Sequence, residues 1–356
     1  MKILNLIPNL SGGGAERQLN YLAPELVRMG HEVHIAYSRE GSCKPELPGV
    51  VLHQLKSRSN YDPYLFWQLV RLIRGLKPDI VHTWIPQMDI LGGMAARING
   101  VPWIFREPSS PIAYKSTLKN SLRVRIGSGA SAIVANSLDG AEYWKIKVQH
   151  KRCYVVLNGL PIQKIESTPA ALPSGLPQPE MPIVLYVGRL VELKNLKVFM
   201  EVLACVKKQR KVFGVICGEG PQQTELETLR CKLGLEADLY FTGYLPPAAV
   251  WALVKKAAIF ISLSAYEGCP NAVMEAMACD CPLVIADIPA HHEILDEGCA
   301  RFVPISNISQ VADTIVQALR DPDASMQRAV IAKIKTQKWS IAEMAKNWEN
   351  VYKEVV

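Results

Sequence analysis

Two glutamates eight positions apart bracket the segment Tyr266-Glu267-Gly268-Cys269-Pro270-Asn271-Ala272-Val273-Met274-Glu275-Ala276-Met277-Ala278. The Gly-Cys-Pro-Asn stretch can start a helix, because proline suits a first helical turn. Glu267 then falls in the loop before the helix and Glu275 about one turn inside it. Both can face one crevice, one toward a sugar and the other toward a ribose, with the amides of the helix start open to phosphate. The same residues also read as plain helix, since glutamate favours a first turn and Ala-Met-Ala is ordinary core. A second group is Val187-Gly188-Arg189-Leu190 with Lys194-Asn195 close behind. Two cations after a strand suit a diphosphate: arginine grips oxygens with a planar fork and lysine adds a point charge. Solvated surface cations are the alternative.

Three further groups are weaker. Ser11-Gly12-Gly13-Gly14-Ala15-Glu16-Arg17 follows an apolar strand and opens a helix. Glycines there allow close backbone approach, and a helix N-terminus attracts anions. The run lacks the spacing of GxGxxG and the Lys-Ser/Thr of a phosphate loop. Gly218-Glu219-Gly220-Pro221 reads as a turn after a strand, with or without a ligand against it. His82 and Arg106-Glu107 stand at the ends of strands, which makes them candidates on the acceptor side together with Glu16. A lone histidine in such a place is more often structural. No Asp-x-Asp lies within these groups, and Cys279 and Cys281 have no further cysteine or histidine at zinc-ligand spacing.

The elements that must position these groups can be read from the apolar pattern. Strands are expected over Lys2–Ile7, Glu32–Tyr37, Ile80–Thr83, Trp103–Arg106 and Ala132–Asn136, with helical stretches between them such as Glu16–Arg28 and Tyr64–Leu76. The stretch 158–182 breaks this rhythm with six prolines. The alternation resumes with strands over Ile183–Val187, Val212–Cys217, Leu239–Thr242, Ile259–Leu263 and Leu283–Ala286. Strand–helix alternation with short connections predicts parallel sheets covered by helices on both faces. The expected organisation is an α/β N-terminal Rossmann-like domain over 1–165, a Pro-rich linker over 166–182 and a second such domain over 183–338. A closing helix over 339–356 packs back toward the first domain. Two facing doubly wound domains place a ligand in a cleft at the carboxyl ends of their strands.

Composition excludes several classes. The 356 residues are 49% apolar and 21% charged, which fits a globular chain and neither disorder nor a small disulfide scaffold. Nine scattered cysteines point to a reducing compartment. No run approaches the roughly 18 apolar residues of a membrane span, and the apolar N-terminus is too short for a secretory signal. A cytoplasmic protein, at most peripheral on the inner face of the membrane, is expected. Residues 1–165 carry 21 Lys/Arg against 11 Asp/Glu, whereas 166–356 carry 19 against 22. A basic first half suggests an anionic partner or simply a solvated basic surface.

Taken in order, Gly-Gly-Gly-Ala-Glu-Arg, Val-Gly-Arg-Leu with Lys194, the Gly-Glu-Gly-Pro turn, Glu267-x7-Glu275 and Ala286-Asp287-Ile288-Pro289 with Glu293 resemble the retaining glycosyltransferases of GT-B fold, family four. The resemblance covers nearly the whole chain. It implies that Arg189 and Lys194 bind and neutralise a donor diphosphate, and that Glu267 contacts the transferred sugar. Glu275 holds the ribose hydroxyls, and amides of Gly268, Cys269, Asn271 and Ala272 meet the sugar and phosphates. Gly13 and Gly14 let the first domain close on the donor, and the backbone at Tyr244 and Leu245 meets the base, with Glu219 in the same pocket. Many relatives carry a histidine where this chain has Arg106-Glu107, and Ala290-His291-His292 replace glycines frequent before Glu293.

The activity implied is transfer of a hexose from a nucleotide diphosphate sugar to an acceptor hydroxyl with anomeric retention. UDP is the expected nucleotide and GDP the alternative. No cofactor and no metal are expected, because Arg189, Lys194 and helix amides can stabilise the leaving diphosphate. Front-face attack, with the departing phosphate taking the acceptor proton, fits better than a double displacement. The basic amphipathic stretch 114–126, with Lys115, Lys119, Arg123 and Arg125 among Leu118, Leu122 and Ile126, is expected to lie on an anionic membrane or to pack as an ordinary helix. That suits a lipid-linked saccharide acceptor in bacterial surface-polysaccharide synthesis. The alternatives are a GT-B-like sugar-nucleotide epimerase and an NAD-dependent oxidoreductase. The latter needs a GxGxxG that Gly12-Gly13-Gly14 does not supply. No aromatic-basic platform suggests nucleic acid.

Overall fold

The computed structural model describes residues 1–11, 13–39, 45–107, 118–149, 152–177 and 179–356, and the side chains of all of these but Leu118 and Lys119. They form two units, one of Met1–Gly159 with Trp339–Val356 and the other of Leu160–Lys338. Each is built on a parallel sheet.

The first sheet contains β1 (Lys2–Leu6), β2 (Glu32–Tyr37), β3 (Val51–Gln54), β4 (Ile80–Thr83), β5 (Trp103–Glu107), β6 (Ala132–Ala135) and β7 (Cys153–Val155) in the order β3-β2-β1-β4-β5-β6-β7. Its centre is buried on both faces, as parallel sheets require. Alternate side chains of β1 enter two different cores. Ile3 packs with Leu19, Leu22 and Leu26 of the opening helix Gly14–Arg28. Leu4 and Leu6 pack with Leu65, Leu69 and Ile73 of the helix Pro63–Leu76. The C-terminal helix Ile341–Val355 inserts Met344, Ala345, Trp348, Val351 and Tyr352 into the first of these cores. That spacing lines one helical face, and Ser340 Oγ accepts the Glu343 N–H (3.2 Å) to cap its start.

The second sheet contains β8 (Ile183–Val187), β9 (Phe213–Cys217), β10 (Leu239–Gly243), β11 (Ile259–Ser262), β12 (Leu283–Ala286) and β13 (Arg301–Val303) in the order β10-β9-β8-β11-β12-β13. The two doubly wound parallel sheets give the two Rossmann-like domains of a GT-B fold. The chain leaves the first unit after Gly159, so the Pro-rich stretch counts with the second. There the helix Ile162–Ser167 buries Ile162 and Ile165. Lys255 Nζ donates to the carbonyls of Ile165 (2.6 Å) and Thr168 (2.7 Å) at its end.

The helix Leu118–Gly127 does not present the face its sequence suggests. Leu122 is exposed, whereas Arg123 is buried, donating to Asp89 Oδ2 and Glu107 Oε2 (both 2.9 Å). A buried guanidinium held by two carboxylates has no charge to offer a membrane. Residues 114–117, including Lys115, lie outside the described residues.

Candidate active site

In the second sheet the strand order reverses between β8 and β11, the point at which open α/β sheets bind ligands. The loop after β8 is laced to the loop after β9. Gly188 N–H donates to Cys217 O (2.9 Å), Leu190 N–H to Glu219 O (2.9 Å) and Gln222 N–H to Leu190 O (3.1 Å). Gly218, at φ +137°, lies so close that a Cβ on it would sit 2.0 Å from Gly188 O. Glycine is required there by both the backbone angle and the space.

The same loop is tied on its other side to the loop after β11. Asn195, in the left-handed region at φ +52°, donates from Nδ2 to Leu263 O (2.8 Å), and Ala265 N–H donates to Leu193 O (2.8 Å). These bonds bring together two residues 73 positions apart: Lys194 Nζ pairs with Glu267 Oε1. The same oxygen accepts Ser264 Oγ (2.7 Å). The Lys194 and Glu267 side chains keep 21% and 14% of their surface exposed. The pair is therefore open to a ligand yet only partly screened by water. Arg189 stands exposed on the same loop. Below it, Tyr186 donates to Arg189 O (3.1 Å), its phenol pushed up by burial and then by the Glu267 charge.

Glu275 is buried one turn into the helix Asn271–Ala278, and its Oε2 accepts Trp251 Nε1 (3.2 Å). The first bond along this helix runs from Met274 N–H to Pro270 O. Of the four amides expected to face a ligand, Asn271 N–H already donates to Cys269 O (2.9 Å). Cys269 is buried with its Sγ 3.4 Å from Met274 Sδ, while Gly268 and Ala272 are half-buried. Glu219 Oε1 accepts the Tyr244 N–H (3.2 Å), so this carboxylate holds the turn after β10. The Tyr244 ring is 70% exposed and Leu245 half-buried.

His291 is fully buried in the short helix Pro289–His292 after β12. Its Nδ1 lies 2.7 Å from Ala286 O, which assigns the ring proton to Nδ1 and leaves Nε2 an acceptor. Nε2 has no partner among the described residues. Burial pushes His291 down, with the Glu267 carboxylate pulling the other way and Lys194 adding to the depression. This ring therefore belongs to the surroundings of the Lys194–Glu267 pair.

The candidates of the first unit sit differently. Gly13 caps the opening helix in extended conformation, and a Cβ on it would meet Glu16 Oε2 at 2.4 Å. The buried Glu16 carboxyl folds back over the helix start, its pKa pushed up by burial and pulled down by hydrogen bonds from its own and the Gly13 amides. Gly14 is exposed as the first helical residue, and Gly12 lies outside the described residues. His82 is fully buried, stacked at 4.6 Å on Trp84 and 4.3 Å from Trp348, with Nδ1 2.9 Å from Tyr352 Oη. Arg106 is also buried, donating from Nη2 to Asn158 Oδ1 (2.6 Å) and lying over the Trp84 ring at 4.1 Å. Ser264 and Trp251, which fix the two glutamates, carry no signal in the sequence: one is a serine at a strand end, the other part of an all-apolar helix.

Two family models match successive parts of the chain: Glycosyltransferase Family 4 over residues 12–164 and Glycosyl transferases group 1 over 171–337. An alpha-D-kanosaminyltransferase of Streptomyces kanamyceticus is 25% identical over 209 residues, 58% of this chain and 54% of that protein, so the match spans about half of the relative's length. An undecaprenol-diphosphate-directed N-acetylgalactosaminyltransferase of Campylobacter jejuni is 25% identical over 350 residues, 93% of each chain. Anabaena HepE, solved with UDP and glucose, superposes with a TM-score of 0.85 at 20% identity, covering 99% of this chain and 100% of that one. The family assignment does not favour the epimerase and oxidoreductase readings. With both models matched in sequence order and both sheets wound as they require, the chain belongs to the GT-B glycosyltransferases of family four.

Proposed function

We propose that this glycosyltransferase moves a hexose from a UDP-sugar to a hydroxyl of a lipid-linked saccharide, with retention at the anomeric carbon. The observation that carries the reading is the Lys194–Glu267 pair at the switch point of the second sheet, with Arg189 on the same loop. UDP in the Anabaena structure and the diphospho-undecaprenol named for the Campylobacter relative support the choice of donor and acceptor.

In this reaction the bond from the anomeric carbon to the β-phosphate oxygen breaks, and a bond from the acceptor oxygen to the same carbon forms. The acceptor proton passes to the departing phosphate on the same face. Arg189 and Lys194 offset the charge that grows on the diphosphate, a task preorganised cations perform without a bound metal. Glu267 is then positioned on the sugar hydroxyls, and Glu275, oriented by Trp251, on the ribose. No helix among the described residues is long and apolar enough to cross a membrane. Access to a lipid-linked acceptor then calls for peripheral attachment to the cytoplasmic face.

The test is a thermal-shift screen with UDP-, GDP- and ADP-sugars, because a ligand of the folded state raises its stability. A selective rise with a UDP-sugar is expected. The product formed with an undecaprenyl-diphosphate saccharide then gives the anomeric configuration by NMR. An inverted product removes the retaining mechanism, and no response to any sugar nucleotide removes the donor site.

A further inference from the structure

The helix Pro63–Leu76 buries Leu65, Leu69, Val70 and Ile73 against the first sheet. Its opposite face holds large aromatic side chains in water: Tyr64 is 58% and Trp67 60% exposed. Arg71 and Arg74 are exposed in the same stripe, since positions 64, 67, 71 and 74 fall within one helical face. The preceding loop extends this surface. Gln68 grips Lys56 from both sides, accepting its N–H (3.0 Å) and donating to its carbonyl (2.7 Å). That grip sets exposed Lys56, Arg58 and Tyr61 beside the helix start.

Charge on this segment is one-sided. Between residues 51 and 78 there are five Lys/Arg and a single acidic residue, Asp62. Its two carboxylate oxygens are taken by the backbone N–H groups of Arg58 and Tyr64 (both 2.9 Å), so it caps the helix. Aromatic rings with apolar bodies and polar tips, ringed by cations, match the boundary between headgroups and acyl chains. The cations match anionic headgroups.

We propose that this face, built on Tyr64, Trp67, Arg71 and Arg74, is the surface by which the protein docks on an anionic lipid bilayer. The choice of a bilayer as occupant rests on the lipid-linked acceptor proposed above. The rings enter the headgroup region while the arginines pair with lipid phosphates. The buried Arg123 leaves the helix Leu118–Gly127 a poor rival for this role.

The test uses the full chain and vesicles of phosphatidylcholine, alone or mixed with an equal part of phosphatidylglycerol. Co-sedimentation with the mixed vesicles at low salt, weakened at high salt and absent with phosphatidylcholine alone, is expected. Arg71→Gln with Arg74→Gln weakens partitioning roughly 30-fold, from about 1 kcal/mol per cation near an anionic surface. Tyr64→Ser with Trp67→Ser loses binding that persists at high salt. Lys208→Gln with Lys211→Gln, which removes two exposed cations of the second unit, binds as wild type. Equal binding by wild type and both face variants overturns the proposal, as does an equal loss in the control. A change of molecular mass in the Tyr64/Trp67 variant also overturns it, because the face is then covered by a second copy. Transfer to a soluble acceptor is measured in parallel. A protein that transfers sugar but ignores vesicles sinks this surface alone, and one that binds vesicles without turning over a sugar nucleotide sinks the proposed activity alone.

Discussion

Lys194 and Glu267 form an ion pair between the loops that follow the two strands, β8 and β11, at which the second sheet changes direction. Each holds the other in place before any ligand arrives, and Ser264 fixes the carboxylate from a second side. In the proposed reaction a diphosphate would compete for the lysine, and a sugar hydroxyl for the glutamate. Removing either partner therefore separates binding from turnover. Lys194→Ala should lower kcat by about 100- to 1,000-fold, the usual cost of one preorganised donor, with little change in Tm. Glu267→Gln should keep or raise affinity for the nucleotide diphosphate alone while turnover falls. Steady-state kinetics with nucleotide titrations check both, and near-normal kcat in Lys194→Ala would take the lysine out of the site.

The loops after β8 and β9 can pack only because Gly218 has no side chain. A Cβ there would sit 2.0 Å from a backbone oxygen, which cannot move like the tip of a flexible side chain. The positive φ adds strain of its own. Gly218→Ala should cost roughly 2–4 kcal/mol of stability. Since Arg189 rides on the displaced loop, nucleotide affinity should fall as well. Denaturant unfolding and calorimetric titration with UDP measure the two effects, and wild-type values for both would show that the loops are not coupled through this contact.

Sequence pattern made the middle of each sheet and the edge strand β10 legible, and left the other three edge strands obscure. β2, β4, β8 and β12 fall on the expected residues because a strand covered on both faces is a predominantly apolar run. β3 leaves Val51 and Leu52 exposed at a sheet edge, and β7 and β13 are three residues each, so none of them carries that run. The helix Ile85–Ile98 is buried almost all round and lacks an amphipathic stripe. The motif glutamates and cations were legible by residue type and spacing. Their partners were not, because pairing of Lys194 with Glu267 or Trp251 with Glu275 is decided by which strands neighbour each other. The same limit applies to Arg123, whose partners Asp89 and Glu107 lie on other elements.

Two buried histidines give the fold an acid-side weakness. Burial holds His82 well below its ordinary value, with the Arg106 charge adding to the effect, and burial lowers His291 too. As pH falls below about 6.5, where the unfolded chain takes up the protons, folded His82 stays neutral and folded His291 takes up its proton later than the unfolded chain does. The unfolded state then binds more protons, so stability drops with falling pH, by up to about 1.4 kcal/mol per pH unit for each ring. Asp89, raised to about 6 by burial, acts in the opposite sense: below pH 6 the folded state takes up its proton first. Between pH 6.5 and 6 the histidines therefore dominate. Denaturant unfolding across pH 7 to 5.5 should show a shallower decline in His82→Phe than in wild type, and an unchanged slope would mean that His82 ionises freely in the fold.

Arg123 is the hinge of a buried polar network in the first unit. It donates to Asp89 and Glu107, while Thr83 Oγ1 donates to Asp89 (2.8 Å) and Trp144 Nε1 to Glu107 (2.7 Å). The guanidinium also lies over the Phe105 ring at 4.4 Å. A methionine would fill most of that volume but would leave two carboxylates facing each other without a cation. Breaking a buried pair from one side costs about 3–5 kcal/mol, because the remaining charge stays desolvated. Arg123→Met alone should lose that much, whereas Arg123→Met with Asp89→Asn and Glu107→Gln should recover a large part of it, since neutral amides need no counter-ion. Urea unfolding of the single and triple variants decides the matter. A triple variant no more stable than the single one would mean that the arginine acts through its packing on Phe105 rather than through charge.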